Sequence, residues 1–192
     1  MMRVISGLAK GRRLQRVPGD TTRPITDRVR ENLFNILDNY NMIANANWYD
    51  MFGGTGAVGI EALSRGANSV VFTDKIGRAV TTIQNNINAV GLAESNHKIL
   101  NMDAFGYLRS RGWQTPFDLI YIAPPQYKNL WLDGIKLVDE LAGECLQAPH
   151  GMAVVQIHPK EFDKTYSPVN LEKFDERKYG STLLVFYDLG KS

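Results

Sequence analysis

From residue 46 to residue 157 short apolar runs alternate with helical stripes, and that alternation leaves the chain few folds to choose from. Trp48-Tyr49-Asp50-Met51 and Val70-Val71-Phe72-Thr73 read as strands, with a helix predicted over 57–64 between them and closed at Arg65-Gly66. Ile76, Val80, Ile83, Ile87 and Val90 then recur at steps of 4, 3, 4 and 3, the period of one helix face, and Gly91 ends the run. A third strand is predicted at 98–101, a short helix after Asp103, and a nearly continuous apolar strand at 117–122, as parallel strands buried on both faces require. Trp131, Ile135, Val138, Ala142 and Cys145 repeat the helical steps, 152–157 is a fifth strand, and 169–178 meets 181–187 across Tyr179-Gly180 as a terminal hairpin. Such repetition predicts an α/β fold: a doubly wound, mostly parallel seven-stranded sheet with an antiparallel end.

The segment before this alternation differs in pattern and in charge. Residues 3–6 and 13–17 read as two short strands around a turn between Gly7 and Gly11, a small basic β-hairpin. Pro18-Gly19-Asp20 breaks it, and Thr26 then caps a helix with Val29, Leu33, Ile36 and Leu37 on its apolar face. The reading is a basic arm over 1–22 followed by a main domain over 23–192. The net charge of +2 hides the asymmetry: residues 1–30 carry eight Arg or Lys against two acids, while the other 162 residues carry 14 against 18. Arg3, Arg12, Arg13, Arg16, Arg23, Arg28 and Arg30 therefore form a candidate polyanion-binding surface, since guanidinium forks suit phosphates.

Composition narrows the chemistry further. The single Cys145 cannot form an internal disulfide, and with 3 scattered His it offers no metal-ligand spacing, so no metal is expected. No window approaches a membrane span and no apolar core follows the first basic residues, so a cytoplasmic protein without a membrane partner is expected.

In a doubly wound sheet, ligands bind beyond the carboxyl ends of the strands, which selects four turns. In the first, Asp50 leads into Gly53, Gly54, Thr55 and Gly56, and Gly54, Gly56 and Gly59 satisfy the G-x-G-x-x-G spacing, with Asp74 twenty residues after Gly54. Glycines allow a close backbone approach, and the following helix N-terminus offers free N–H groups. Asp74, beside Lys75, can accept two ribose hydroxyls, or it can cap the next helix. Asp103, between Met102 and Ala104, can receive an adenine amino group, or again act as a cap. The fourth turn, Ala123-Pro124-Pro125-Gln126-Tyr127, is rigid and presents carbonyls to an exocyclic amine, with Tyr127 available to stack on a base.

These stretches resemble the RsmD-type methyltransferases, which use S-adenosylmethionine to methylate the exocyclic N2 of a guanine in small-subunit ribosomal RNA. The similarity covers nearly the whole chain and rests on Arg3-Val4-Ile5-Ser6-Gly7 with Gly11-Arg12-Arg13-Leu14, on the run from Thr22 to Leu37, on the run from Asp50 to Ala67, and on Tyr179-Gly180-Ser181-Thr182. The resemblance implies a Rossmann-like class I methyltransferase fold. It also implies that the loop from Asp50 to Gly56 holds the methionine end of the cofactor, that Asp74 holds its ribose and Asp103 its adenine, and that the partner is small-subunit ribosomal RNA or an assembling small subunit.

One loop departs from the family pattern, which usually reads Asp or Asn, Pro, Pro, then Tyr or Phe. Here Ala123 replaces the acid or amide, Gln126 occupies the aromatic place, and the aromatic follows at Tyr127. Asp74 also stands where many relatives carry Glu, a change that keeps the charge. Two alternatives accompany the methyltransferase reading: a weak or inactive RNA- and cofactor-binding assembly factor, and an NAD(P)-dependent oxidoreductase, which shares the glycine fingerprint.

Overall fold

The computed structural model describes residues 2–19 and 25–190. The chain divides into two compact units, Met1–Ala104 and Phe105–Ser192. The expected boundary after residue 22 falls in 20–24, outside the described residues, as do Arg23 and the Thr22–Pro24 part of the quoted run.

In the first unit, α1 (Asp27–Asn39) is followed by β1 (Asn47–Asp50), α2 (Ala57–Ser64), β2 (Ser69–Asp74), α3 (Gly77–Ala89) and β3 (His97–Asn101). The strands pair in parallel in the order β3-β2-β1. Thr26 caps α1 as expected, its side chain accepting the Val29 N–H at 3.3 Å. α2 is buried along its whole length, which explains why its sequence is apolar all round except for Glu61 and Ser64.

α3 corrects the periodicity reading in one place. The helix starts at Gly77, and Ile76, expected to lead the apolar face, is its capping residue and 49% exposed. The buried face is Ala79, Thr82, Ile83, Asn86 and Ile87, so two of its five members are polar. Asn86 is satisfied there: its Oδ1 accepts the Gln15 N–H at 2.7 Å, and its Nδ2 donates to the carbonyls of Gln15 at 3.1 Å and Thr55 at 2.9 Å.

The basic hairpin is present as a pair of extended segments joined by one antiparallel bridge, Arg3 to Arg13, with no regular strand in either arm. Its stability comes from α2. Glu61, fully buried, accepts the N–H groups of Ile5 at 2.7 Å and Ser6 at 2.9 Å, while Ser64 accepts from Ala9 and donates to the Ser6 carbonyl. Gly7 lies so close that a Cβ there would sit 1.8 Å from the Ser64 carbonyl oxygen, and its φ of +80° suits only glycine. Arg30 completes this knot and not the polyanion surface assigned to it. It is fully buried, pairs with Asp27 at 3.0 Å and with Glu61 at 3.7 Å, and donates to the Arg3 carbonyl.

In the second unit, α4 (Ala104–Arg109) leads to β4 (Leu119–Ile122), α5 (Leu130–Glu140), α6 (Ala142–Cys145), β5 (Met152–Ile157), β6 (Leu171–Tyr179) and β7 (Thr182–Leu189). The order is β4-β5-β7-β6, with β4 and β5 parallel and β7 antiparallel to both β5 and β6. The predicted strand over 117–122 starts later, at Leu119, with Phe117 bridged singly to Leu146. The helix expected through Cys145 is two helices broken at Leu141, and the 4-3-4-3 stripe survives because the break leaves Ala142 and Cys145 buried. Among the described residues there are seven strands, parallel except at β6 and β7, which gives the mixed α/β class expected.

Candidate active site

Asp50 ends β1 and is 2% exposed. Its Oδ2 accepts the Gly59 N–H at 3.3 Å, while Oδ1 is buried and takes no hydrogen bond among the described residues. Burial, with the like charge of Asp74 as a smaller contribution, pushes its carboxyl up to about 7. The Phe52 N–H also bonds to this carboxyl, and Oδ1 keeps acceptor capacity that a ligand or a water can use.

The loop after Asp50 is held open by its glycines. Gly54 and Gly56 have φ of +55° and +77°, and a Cβ on Gly54 would meet only the Phe52 carbonyl oxygen, at 3.9 Å, so that position faces open space. Gly53 and Gly56 are tight by contrast: a Cβ on them would lie 2.7 Å and 3.1 Å from side-chain atoms of Ile83. Thr55 is tied through its carbonyl to Asn86. The glycines thus do two jobs, packing the loop onto α3 and leaving one edge clear.

Asp74 ends β2 and joins this loop directly. Its Oδ2 accepts the Gly54 N–H at 2.9 Å and its Oδ1 the Ile76 N–H at 2.9 Å. The capping alternative is therefore half realised: Asp74 orders the start of α3, although Ile76 occupies the cap position. Each carboxylate oxygen keeps acceptor capacity beyond the one bond it makes here. Asn101 Nδ2 donates to the Asp74 carbonyl at 2.9 Å, bringing the ends of β2 and β3 together. Lys75 reaches Asp103 at 2.7 Å, Met102 is half-buried, and Ala104 is buried with its carbonyl accepting the Tyr49 hydroxyl at 3.1 Å.

The second unit carries the remaining loop. Ala123 and Pro124 are half-buried, Pro125 and Gln126 exposed, and Tyr127 is 67% exposed with a φ of +60°. The Tyr127 N–H donates to Glu161 Oε2 at 2.6 Å, and its ring lies 5.8 Å from the His158 ring. Of the arginines assigned to the polyanion surface, Arg3, Arg12, Arg13, Arg16 and Arg28 are exposed; Arg3 also pairs with Asp27 at 3.6 Å.

Glu61, Asn86 and Glu161 escaped the sequence reading. Glu61 carried a signal, an acid in a helix otherwise apolar but for Ser64; Asn86, within a run of polar residues, did not, and neither did Glu161, because 34 residues separate it from Tyr127. Cys145 is buried and its thiol is pushed up to about 12 by that burial, which leaves it inert at neutral pH. Among the described residues no cluster of His, Cys, Asp or Glu could hold a metal ion, and no helix is long and apolar enough to cross a membrane.

Comparison with known proteins bears on the family to which the chain belongs. The model of the family described as conserved hypothetical protein 95 matches residues 2–188. The chain belongs to that family, the RsmD type. It is 36% identical over 148 residues to the Escherichia coli ribosomal RNA small subunit methyltransferase D, covering 76% of this chain and 72% of that one. It is 34% identical over 188 residues to YlbH of Bacillus subtilis, a candidate rRNA methyltransferase, covering 97% and 98% of the two chains. A solved structure of yhhF, a candidate methyltransferase from Escherichia coli, superposes with a TM-score of 0.80 at 29% identity over 98% of this chain and 97% of that one. These findings establish the Rossmann-like methyltransferase fold, and they leave the oxidoreductase alternative without support.

Proposed function

We propose that this protein, working in the cytoplasm, methylates the exocyclic N2 amine of a guanine in small-subunit ribosomal RNA, alone or in an assembling small subunit. The observation that supports this most is Asp50: a buried carboxylate oxygen lacking a partner, beside an open glycine edge, fits the ammonium group of a methionine moiety. Asp50 and the 53–56 loop hold that end of the cofactor, Asp74 and Lys75 flank its ribose, and Met102, Asp103 and Ala104 its adenine. Bound there, S-adenosylmethionine supplies an electrophilic methyl group. The names of the RsmD-type relatives support the ribosomal RNA as substrate.

The chain's own residues then meet the needs of the amine. Its lone pair is delocalised into the purine ring, so it attacks only when acceptors draw on its N–H groups and localise that pair in the transition state. Ala123 has no acceptor in its side chain, so the Pro124 carbonyl and Gln126 carry this role, with Pro125 fixing the turn. Tyr127 stacks on the extruded base, which places the amine for in-line attack. Over 1–22, the exposed Arg3, Arg12, Arg13 and Arg16 grip phosphates, as does Arg28, and Arg23, outside the described residues, is assigned the same role from the sequence; the domain over 23–192 performs the transfer.

The substitution at Ala123 favours a second reading, an RNA- and cofactor-binding assembly factor with weak or no catalysis. Transfer of radiolabelled methyl groups to unmodified small ribosomal subunits, followed by nucleoside analysis, separates the two. N2-methylguanosine is the expected product. No label where an Asp-Pro-Pro relative is active would leave only the binding protein.

A further inference from the structure

We propose that Glu161 is a positioning residue that holds Tyr127 upright on the substrate loop, and that it does so because this chain carries its aromatic one place late. The observation is a strained residue with a built support. A bulky aromatic at φ +60° occupies the left-handed region that side chains avoid, and such strain persists only where surrounding groups enforce it. Glu161 enforces it: its Oε2 accepts the Tyr127 N–H at 2.6 Å, a charge-assisted bond. The other oxygen, Oε1, is buried and accepts no hydrogen bond among the described residues, so the Tyr127 N–H is the one hydrogen bond that this carboxylate takes there. Glu161 is itself fixed by the 3-10 turn Pro159–Glu161, which starts at His158, where the Nδ1 accepts the Lys160 N–H. His158 also sets its ring against one side of Tyr127, at 5.8 Å and 39° between planes.

The consequence is directional. With its backbone bound from one side and one edge of its ring braced by His158, Tyr127 remains 67% exposed and turns its free surface to solvent. An aromatic at the Gln126 position would follow Pro125 directly and need no such support. Displaced by one residue, it needs a left-handed turn to stand out from the loop, and Glu161 with His158 provides it.

The proposal rests on the base-stacking role given to Tyr127 above, so its test reads stacking apart from methyl transfer. The probe is a single-stranded RNA hexamer carrying 2-aminopurine, whose fluorescence falls when an aromatic ring stacks on it. The full-length protein and Glu161→Gln, whose amide oxygen still accepts the N–H, quench the probe; Tyr127→Ala and Glu161→Ala do not, and the double variant matches Tyr127→Ala. Equal S-adenosylhomocysteine affinity in all variants shows that they fold. In the methylation assay, Glu161→Ala lowers kcat about tenfold with an unchanged KM for the cofactor, as loss of one positioning bond predicts. Quenching by Glu161→Ala equal to the parent's, or no quenching by the parent, overturns the proposal. Quenching that follows this pattern in a parent that transfers no methyl group upholds the bracket and rejects the catalytic reading.

Discussion

The loop after β1 and the loop after β4 are built on opposite principles. The first takes its shape from its own glycines: Gly54 and Gly56 adopt left-handed conformations at no steric cost, and the more distant Asp74 and Asn86 only add bonds to the Gly54 N–H and the Thr55 carbonyl. The second is held from outside, with a tyrosine forced into the left-handed region by a carboxylate 34 residues away. A backbone-defined loop leaves its signature in the sequence as glycines at fixed spacing. A loop braced by a distant side chain leaves none, and its motif can drift while its geometry is retained.

The sharpest way to break this contrast is through Asp50, the one acid buried in the first loop. Its folded-state carboxyl titrates near 7 against an ordinary value of 3.8, so the folded protein holds this proton more tightly than the unfolded chain does. Stability from this group is therefore complete below about pH 4 and is lost as pH rises to 7, by about 4 kcal/mol at 1.36 kcal/mol per unit. Asp50→Asn removes that slope. Urea denaturation at pH 5 and pH 8 measures it, and parallel curves for parent and variant would refute the buried-charge account.

Glu61 gives the next largest effect. Removing it leaves the buried Arg30 with Asp27 as its remaining carboxylate and strips the N–H groups of Ile5 and Ser6 of their acceptor, a loss of about 3–5 kcal/mol. Faster proteolysis within 2–19, read by mass spectrometry, is expected alongside. A stable Glu61→Ala variant with a protected arm would show that the knot contributes little.

On the substrate loop, Ala123→Asp restores the acceptor that the family pattern carries. The expected gain in methyl transfer is about 10²-fold in kcat, by analogy with the effect of one hydrogen-bonding group in an oxyanion hole. No gain over an active parent would mean that the Pro124 carbonyl and Gln126 already suffice. The smallest effect is at Gly54. Alanine there meets nothing nearer than 3.9 Å, so Gly54→Ala costs about 1 kcal/mol of backbone strain, yet it weakens S-adenosylhomocysteine binding by more than that strain accounts for, because its methyl group fills the open edge. Thermal melts and calorimetric titration separate the two quantities.

How much of this was legible beforehand follows the same division. The strands, α2 and the terminal hairpin were readable because burial imposes periods that sequence displays. The 50–59 loop was readable because conformations open mainly to glycine demand glycine. Ile76 misled because the 4-3-4-3 stripe extends one residue beyond the point where α3 begins, and Asn86 was passed over because a buried amide looks like a surface one until its three partners are known. Arg30 misled for a related reason. Charge counting cannot tell a guanidinium that faces solvent from one buried against Glu61 and Asp27. The bracing of Tyr127 by Glu161 had no local trace at all.

Calorimetric titration of S-adenosylhomocysteine against the parent and Asp50→Asn between pH 5.5 and 8.5 tests the central assignment most directly. An ammonium group paired to Asp50 favours the ionised carboxylate, so parental affinity rises with pH up to about 7 with release of a proton, and the variant binds weakly with this pH dependence gone. Parental binding that does not change across this range, or that survives in Asp50→Asn undiminished, would contradict the placement of the methionine end at Asp50.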